Sequence, residues 1–376
     1  MTPTLIESSS MMDELVLQLS EEKIIAVDTE FFRETTYYPK LALIQIATDS
    51  IVACVDPLAF DAKPALKQIL CNREIIKIFH SCSQDLEVLF YYLDELPAPI
   101  YDTQIANALL TDHHQIGYAA LVENELTVQL DKSQTRTNWL QRPLTAKQIQ
   151  YAGDDVLYLY RLHRLLDKKL QDTERRSWFD EDSEQLSAEG NCFQVDVSKL
   201  WKRVKGTTKL DRKKLAIVQA IAVWREELAQ QNDQTRRRAL PDDIIIRLAL
   251  NPTEDINTLT QIIPKHLKIS VENQQQLLTT MREVQQSSEN TWPDNRFTVL
   301  DGEQKLILKN LQQLIATRAD ELGISTAILC SRKDLEQLII ATTKDDIPPD
   351  QIKLTITQGW RLHCVGQDLL NTLKGQ

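Results

Sequence analysis

Apolar and polar positions change their rhythm twice along this chain. Early on, short apolar runs with β-branched character read as strands: Lys23–Glu30 (KIIAVDTE), Leu41–Ala47 (LALIQIA), Ile51–Asp56 (IVACVD) and Ile75–Phe79 (IIKIF). Pro39 and the Asp49–Ser50 pair punctuate the first three, which predicts a three-stranded antiparallel start. The period then lengthens. Leu86, Leu89, Phe90 and Leu93 share one face of a helix over Ser83–Leu93, with Ser81 and Gln84 in capping-box spacing at its start. Further helices are predicted over Thr103–Leu110 and over a long stretch from Thr145 to about Leu170. Strands alternating with helices define an α/β domain with a mixed sheet over residues 1–170.

The texture changes after Leu170. A polar connector, 171–208, gathers Asp180, Glu181, Asp182 and Glu184 and has room for a short helix. From there the pattern is helical throughout. The segment Ser287–Phe297 (SSENTWPDNRF), with its Pro-Asp turn, divides it into pieces at 209–289 and 290–376. The pieces read as distant repeats: Gln219 and Arg225 match Gln312 and Arg318, and Ile244 and Leu248 match Leu335 and Ile339. Each is a helix, a polar loop and a short helix opened by an acid, Asp243 or Asp334.

Composition narrows the class. With 376 residues, 42% hydrophobic and 26% charged, the chain is a globular protein of two or three domains. No apolar run approaches the roughly 18 residues of a membrane span, and no basic-then-apolar leader precedes Glu7, Asp13 and Glu14. The cysteines at 54, 71, 82, 192, 330 and 364 form no C-x-x-C pair. That argues against a zinc site or a disulfide framework and predicts a reducing cytoplasm. The net charge of −11 does not exclude nucleic acid, because binding follows local fields. No phosphate-binding glycine loop, no H-E-x-x-H and no nucleophile-elbow serine is present.

The remaining chemistry is carboxylate chemistry. Asp28 and Glu30 stand two apart at the end of a strand, so both point to one face. Tyr151 and Asp155 stand four apart on a helix, again on one face, whereas Asp154 is turned about 100° away and reads as solvent-facing. Asp85 falls in the first turn of a helix that follows a strand. Two carboxylates about 4 Å apart repel by roughly 4 kcal/mol at an effective dielectric near 20. Convergence of these acids therefore calls for bound hard cations such as Mg²⁺ or Mn²⁺. Around them, Asp102 is read as a helix cap. His80 and Gln45 are either satisfied core groups or neighbours of the reaction. Phe31 and Phe32 either pack in the core or offer a stacking surface beside the acidic pair.

The order D-x-E on a strand, Asp after a later strand, then Y-x-x-x-D resembles the DEDDy branch of 3′–5′ exonucleases. VDTEFFRETTYYPKLALIQIA, HSCSQDLEVL, YDTQIANALL and YAGDDVLYLYRL resemble the ribonuclease D family, and the helical pieces resemble its helicase-and-RNase-D C-terminal (HRDC) modules. The resemblance runs the length of the chain. It implies an RNase H-like exonuclease domain followed by two all-α HRDC-type domains. The implied catalytic set is Asp28, Glu30, Asp85, Tyr151 and Asp155, the four acids holding two divalent ions. Asp28 would bridge them, Glu30 and Asp155 would hold the nucleophile-side ion, and Asp85 would reach the other through water. Tyr151, a poor base at neutral pH, would orient the attacking water. The implied substrate is RNA with a single-stranded 3′ end, tRNA precursors above all, handled by a monomer; a DNA exonuclease of the same branch, or a non-catalytic RNA-binding protein, are the alternatives.

Basic residues concentrate over Trp201–Lys214, where Lys202, Arg203, Lys205, Lys209, Arg212, Lys213 and Lys214 face one acid, Asp211, and again at Arg236–Arg238. This first helical piece is expected to guide the RNA strand. The second, poorer in basic residues at Arg332 and Lys333, is expected to pack against the catalytic domain.

Overall fold

The computed structural model describes residues 1–131, 133–135, 137–188, 193, 195–293, 300–343, 347–348 and 351–374. Cys192 and Asp294 of the expected Pro-Asp turn lie outside them. The chain forms two compact units. One comprises Met1–Phe32, Leu41–Gly190 and Thr298–Gln376, the other Arg33–Lys40 and Asn191–Phe297. No helix among the described residues is long and apolar enough to cross a membrane.

The first unit is built on six strands: β1 (Thr4–Ile6), β2 (Ile24–Phe32), β3 (Lys40–Ala47), β4 (Val52–Val55), β5 (Ile76–Phe79) and β6 (Ile100–Asp102). Their order across the sheet is β1-β4-β3-β2-β5-β6. β5 runs parallel to β2 and β6, β1 runs parallel to β4, and β3 and β4 are antiparallel, so the sheet is mixed as expected. β1 and β6 are three residues each, too short for a period to show in the sequence. Helices α1 (Ser9–Leu19), α2 (Lys63–Leu70), α3 (Ser83–Leu93), α4 (Thr103–Ala108) and α5 (Tyr118–Leu126) come before α6 (Ala146–Leu157), α7 (Leu159–Asp172) and α8 (Arg176–Ala188).

Two local expectations need correction and a third, the helix within the connector, is extended. The helix read from Thr145 to Leu170 is broken into α6 and α7 at Tyr158, whose amide bonds back to Val156. No glycine or proline marks that break. Ser81 and Gln84 form no capping box; Cys82 precedes α3 without a side-chain cap, and Ser81 takes a left-handed φ of 59°. The Ser81 and Cys82 amides instead donate to the two oxygens of Asp102, each at 2.9 Å. The presumed connector contains all of α8, which buries Phe179 and sends the Ser183 hydroxyl to the Ile100 carbonyl.

The C-terminal helices of this unit are α14 (Gly302–Leu322), α15 (Thr326–Leu329), α16 (Arg332–Thr343), α17 (Gly359–Arg361) and α18 (Gln367–Lys374), after the α9–α13 of the second unit given below. A π turn over Leu362–Gly366 joins the last two. They share one apolar core with the six-stranded sheet: Leu311, Leu338, Ile356 and Trp360 lie in the same cluster as Ala26, Ile78, Leu162 and Phe179. Polar groups stitch the seam. Arg175 donates to the carbonyls of Leu109 and Leu322, each at 2.6 Å, and Arg361 is bidentate to Asp182 at 2.5 and 2.9 Å. Trp178 stacks on Trp360 with ring centroids 4.5 Å apart.

The second unit is helical: α9 (Arg212–Gln231), α10 (Arg236–Ala239), α11 (Asp242–Leu250), α12 (Ile256–Ile262) and α13 (Val271–Gln286). Leu215, Val218, Trp224, Ile245, Leu277 and Met281 form its core. The repeat is visible in element lengths: α9 and α14 have 20 and 21 residues, and each precedes a four-residue helix, α10 or α15. The matched arginines diverge, however. Arg225 is buried on Asp242 and the Leu240 carbonyl, whereas Arg318 meets Glu321 and Asp368 at the surface.

One ion pair sets the position of α6. Asp56 at the end of β4 is 1% exposed and receives Arg142 through both oxygens, at 2.5 and 2.8 Å. The same guanidinium donates to the carbonyls of Ala42, Trp139 and Gln141. It therefore pins the segment leading into α6 to the sheet. Replacing Arg142 with Met leaves Asp56 buried and unpaired, which should cost about 3–5 kcal/mol of unfolding free energy. Urea denaturation followed by circular dichroism measures it.

Candidate active site

β2 carries the first two acids. Its sequence, IIAVDTEFF, alternates faces, so Ala26, Asp28 and Glu30 look one way while Val27 and Thr29 look the other. Across that face runs α6. Thr145 accepts the Gln148 amide and Gln148 reaches back to Thr145, a full capping box that fixes where the helix begins. From that start Tyr151 and Asp155 fall on one side. The result is a cluster: oxygen atoms of Asp28, Glu30 and Asp155 all lie within 4.8 Å of one another.

Asp85 comes from the first turn of α3 and is 8% exposed. The Thr29 hydroxyl, on the strand between Asp28 and Glu30, donates to it at 2.5 Å. Its charge reaches the cluster and raises the pKa of both Asp28 and Glu30. The Tyr151 phenol hydrogen-bonds the Asp155 carboxylate, and the Thr135 hydroxyl stands 3.4 Å from the phenol oxygen. Of the five residues singled out in the sequence, Asp28, Glu30 and Asp155 converge, Tyr151 bonds to Asp155, and Asp85 stands outside that group of three and acts on it through its charge.

The electrostatics are those of acids crowded out of water. Burial, then the charges of Asp85, Asp155 and Glu30, pushes Asp28 well above the ordinary carboxylate range. Burial, then Asp155 and Asp85, raises Glu30 to about 9. Burial raises Asp155 to about 7 against the opposing bond from Tyr151, and raises Asp85 to about 6 against the bond from Thr29. Such groups keep protons unless a cation displaces them. All the converging donors are carboxylate oxygens, with no imidazole or thiolate among them. That set fits a hard divalent ion.

The surrounding residues sort differently from the sequence reading. Asp102 caps α4 through the Gln104 amide and braces the start of α3, as a supporting group. His80 is a satisfied core histidine, bonded to the Thr103 hydroxyl at 2.9 Å and the Ile116 carbonyl at 3.0 Å, and burial lowers its pKa. Gln45 is the reverse of the satisfied amide considered for it. It is fully buried, and neither side-chain polar atom has a partner among the described residues. Asp154 is half-buried rather than solvent-facing, takes a bond from Gln150 at 2.9 Å, and stays outside the cluster. Phe31 and Phe32 end β2 half-buried.

Tyr118 is the neighbour that the sequence did not flag. Its hydroxyl donates to the Asp154 carbonyl at 3.1 Å, and its ring lies 5.7 Å from that of His80. Burial, then the charges of Asp155 and Asp28, holds its pKa well above the usual value. A lone tyrosine on an amphipathic helix carries no motif that could have pointed to it.

Comparison with known proteins agrees with this geometry. A family described as 3′–5′ exonuclease matches residues 3–171. Ribonuclease D of Bartonella henselae is 32% identical over 378 residues, covering 99% of this chain and 90% of its own length. Ribonuclease D of Zymomonas mobilis is 32% identical over 386 residues, covering 99% and 94%. The crystal structure of Escherichia coli RNase D, an exoribonuclease involved in structured RNA processing, matches with a TM-score of 0.87 at 28% identity, covering 100% of this chain and 99% of that one. Likeness at this identity, sustained from one end of the relatives to the other, places the chain in the ribonuclease D family of 3′–5′ exoribonucleases.

Proposed function

We propose that the enzyme releases nucleoside 5′-monophosphates one at a time from single-stranded 3′ ends of RNA, tRNA precursors among them. The observation that carries this reading is the meeting of Asp28, Glu30 and Asp155 within 4.8 Å beside Tyr151. Asp28, Glu30 and Asp155 would hold one divalent ion, and Asp28 with Asp85 a second, either Mg²⁺ or Mn²⁺. When bound, such a pair lowers the pKa of water and stabilises the leaving oxygen of the phosphodiester.

The chain's own residues do the rest. Tyr151 stays protonated through the whole working range, because burial and the charge of Asp155 push its phenol pKa far up. It is therefore a hydrogen-bond donor, not a base, and it orients the water that attacks the terminal phosphorus. The P–O3′ bond breaks, the proton from water ends on the new 3′ hydroxyl, and the mononucleotide leaves with its 5′ phosphate. Thr29 keeps Asp85 pointed at the cluster, and Tyr118 holds the backbone that carries Asp155.

The strand is delivered by the helical unit. Arg203, Lys205, Arg236 and Arg237 line one cavity there, and Arg237, Arg238, His266 and Lys268 line another, with Asp242, Asp243 and Glu34 as the acids among them. These suit a phosphate backbone rather than base edges. We place the enzyme in the cytoplasm, a reducing compartment that suits the free thiols at Cys54, Cys71, Cys82, Cys330 and Cys364, and take it to act as a monomer.

Three measurements test the reading. In a gel time course with 3′-overhang RNA and its DNA counterpart, Mg²⁺ should support stepwise shortening of the RNA. Asp28→Asn should slow it by about a thousandfold and Tyr151→Phe by about a hundredfold. Equal trimming of DNA would move the substrate to the other nucleic acid, and an active Asp28→Asn would remove the carboxylates from the chemistry.

A second test uses pH. Unfolded carboxylates release their protons near 4, but Asp85, Asp155 and Glu30 keep theirs to about 6, 7 and 9. Their folded pKa values are raised, so the metal-free protein should lose stability as pH climbs from about 4 to 9. The rise in Tm on adding Mg²⁺ should then be larger at pH 8.5 than at pH 6 in scanning calorimetry. An increment independent of pH contradicts the site.

For delivery, Arg237→Ala with Arg238→Ala should flatten the log–log salt dependence of single-strand RNA affinity by about 1.4, or about 0.7 for each phosphate no longer neutralised. An unchanged slope in fluorescence anisotropy would take these arginines out of the RNA path.

A further inference from the structure

β3, KLALIQIA, buries every residue after Lys40, and Gln45 alone among them carries a polar side chain. Gln45 is fully buried, yet neither its amide oxygen nor its amide nitrogen has a hydrogen-bond partner among the described residues. Its direction follows from the sheet. Gln45 stands opposite Cys54 in the antiparallel pair of β3 and β4, so the two side chains leave the same face. The Cys54 thiol donates to the Ile149 carbonyl of α6 at 3.9 Å, which makes that face the one α6 covers. β3 lies directly beside β2, whose Asp28 and Glu30 look toward α6 as well.

A second unmet group packs under the same helix. Trp139, 5% exposed, has an indole N–H that no group among the described residues accepts. It belongs to a small apolar patch with Leu43, Cys54 and Ala152, against which Tyr151 packs. The rings of Trp139 and Tyr151 have centroids 6.1 Å apart and planes inclined by 38°. Neither residue is loosely held. Gln45 sits inside a paired strand, and the Trp139 carbonyl accepts from Arg142 at 2.7 Å, the guanidinium that closes on Asp56. Apolar side chains of the same shape would fill this space with no bond left unmade. Buried amides and indoles ordinarily have partners, so polar groups kept here call for one. A buried water needs about two to four polar contacts. Gln45 Oε1, Gln45 Nε2 and Trp139 Nε1 offer three.

We propose that Gln45 and Trp139 hold a buried water between them beneath α6, and that Gln45 is through it a positioning residue for the trimming reaction. Gln45 Nε2 and Trp139 Nε1 donate to the water oxygen, and the water donates back to Gln45 Oε1. The bridge fixes the indole, the indole backs the Tyr151 ring, and the phenol stays aimed at Asp155. This rests on Tyr151 orienting the attacking water.

The test uses the full chain under single-turnover conditions with saturating RNA and Mg²⁺. Gln45→Met keeps the volume and removes both polar atoms; Trp139→Phe removes the indole N–H and keeps a ring against Tyr151. Each should slow trimming about tenfold, the scale of a small displacement at the reacting groups. RNA affinity measured with chelator should be unchanged, and Gln45→Met should unfold at or above the wild-type urea midpoint. Because the effect runs through the phenol, adding Gln45→Met to Tyr151→Phe should slow the reaction no further. A crystal structure of the protein should show one water within about 3 Å of both the Gln45 amide and Trp139 Nε1. Wild-type trimming in Gln45→Met overturns the proposal. So does a loss that adds in full to that of Tyr151→Phe, or a Gln45 amide bonded within the protein in the crystal. Tyr151→Phe alone separates the two readings. If it trims normally, the role of the phenol fails and this inference goes with it; a slow Tyr151→Phe beside a normal Gln45→Met removes this inference only.

Discussion

Four carboxylates that repel one another must be held in one small, poorly hydrated volume, and most of this fold can be read as the apparatus that does so. Burial is the largest single cause of the upward pKa shift on Asp28, Glu30, Asp85 and Asp155. Each acid is consequently tied to an element that cannot easily retreat. Asp28 and Glu30 stand on the central β2, Asp85 is bonded to Thr29 of that strand, and Asp155 is bonded to Tyr151 of its own helix. The helix is in turn set by the Thr145–Gln148 capping box and by the segment that Arg142 fastens to Asp56. A cation relieves the repulsion but does not create the geometry; the scaffold is made beforehand.

What could be read from the sequence was what is local. The two-residue spacing of Asp28 and Glu30 and the four-residue spacing of Tyr151 and Asp155 each fix a shared face through backbone periodicity alone. The mixed sheet followed from apolar runs of strand length. What could not be read depended on partners far along the chain. Asp102 replaces the expected capping box of α3 from about twenty residues away. Tyr118 approaches Asp155 only because α5 packs against α7, which follows directly on α6, and Arg142 meets Asp56 across 86 positions. The break at Tyr158 has no glycine or proline to announce it, because the sequence on both sides is good helix.

The two helical repeats illustrate how similar local patterns serve different ends. Both pair a long helix with a four-residue one, and the sequence matched them at four pairs of positions. Yet one has its own core and basic cavities, while the other gives its apolar face to the core that also holds the catalytic sheet. The difference lies in which side chains cover the outer faces. Trp360 and Arg361 have partners waiting on α8, in Trp178 and Asp182. A periodicity shows that a face is apolar but not what will cover it.

That shared core has a temporal meaning. The unit containing the active site is interrupted by residues 191–297 and completed only by the segment from Thr298 onward. A ribosome adding about 5–20 residues per second needs roughly 5–20 s to cross that gap. Throughout that interval α7 and α8 present their apolar faces without the helices that finish the core. The unit that carries the active site therefore gains its full core only once the segment from Thr298 onward has been made and has folded back onto it.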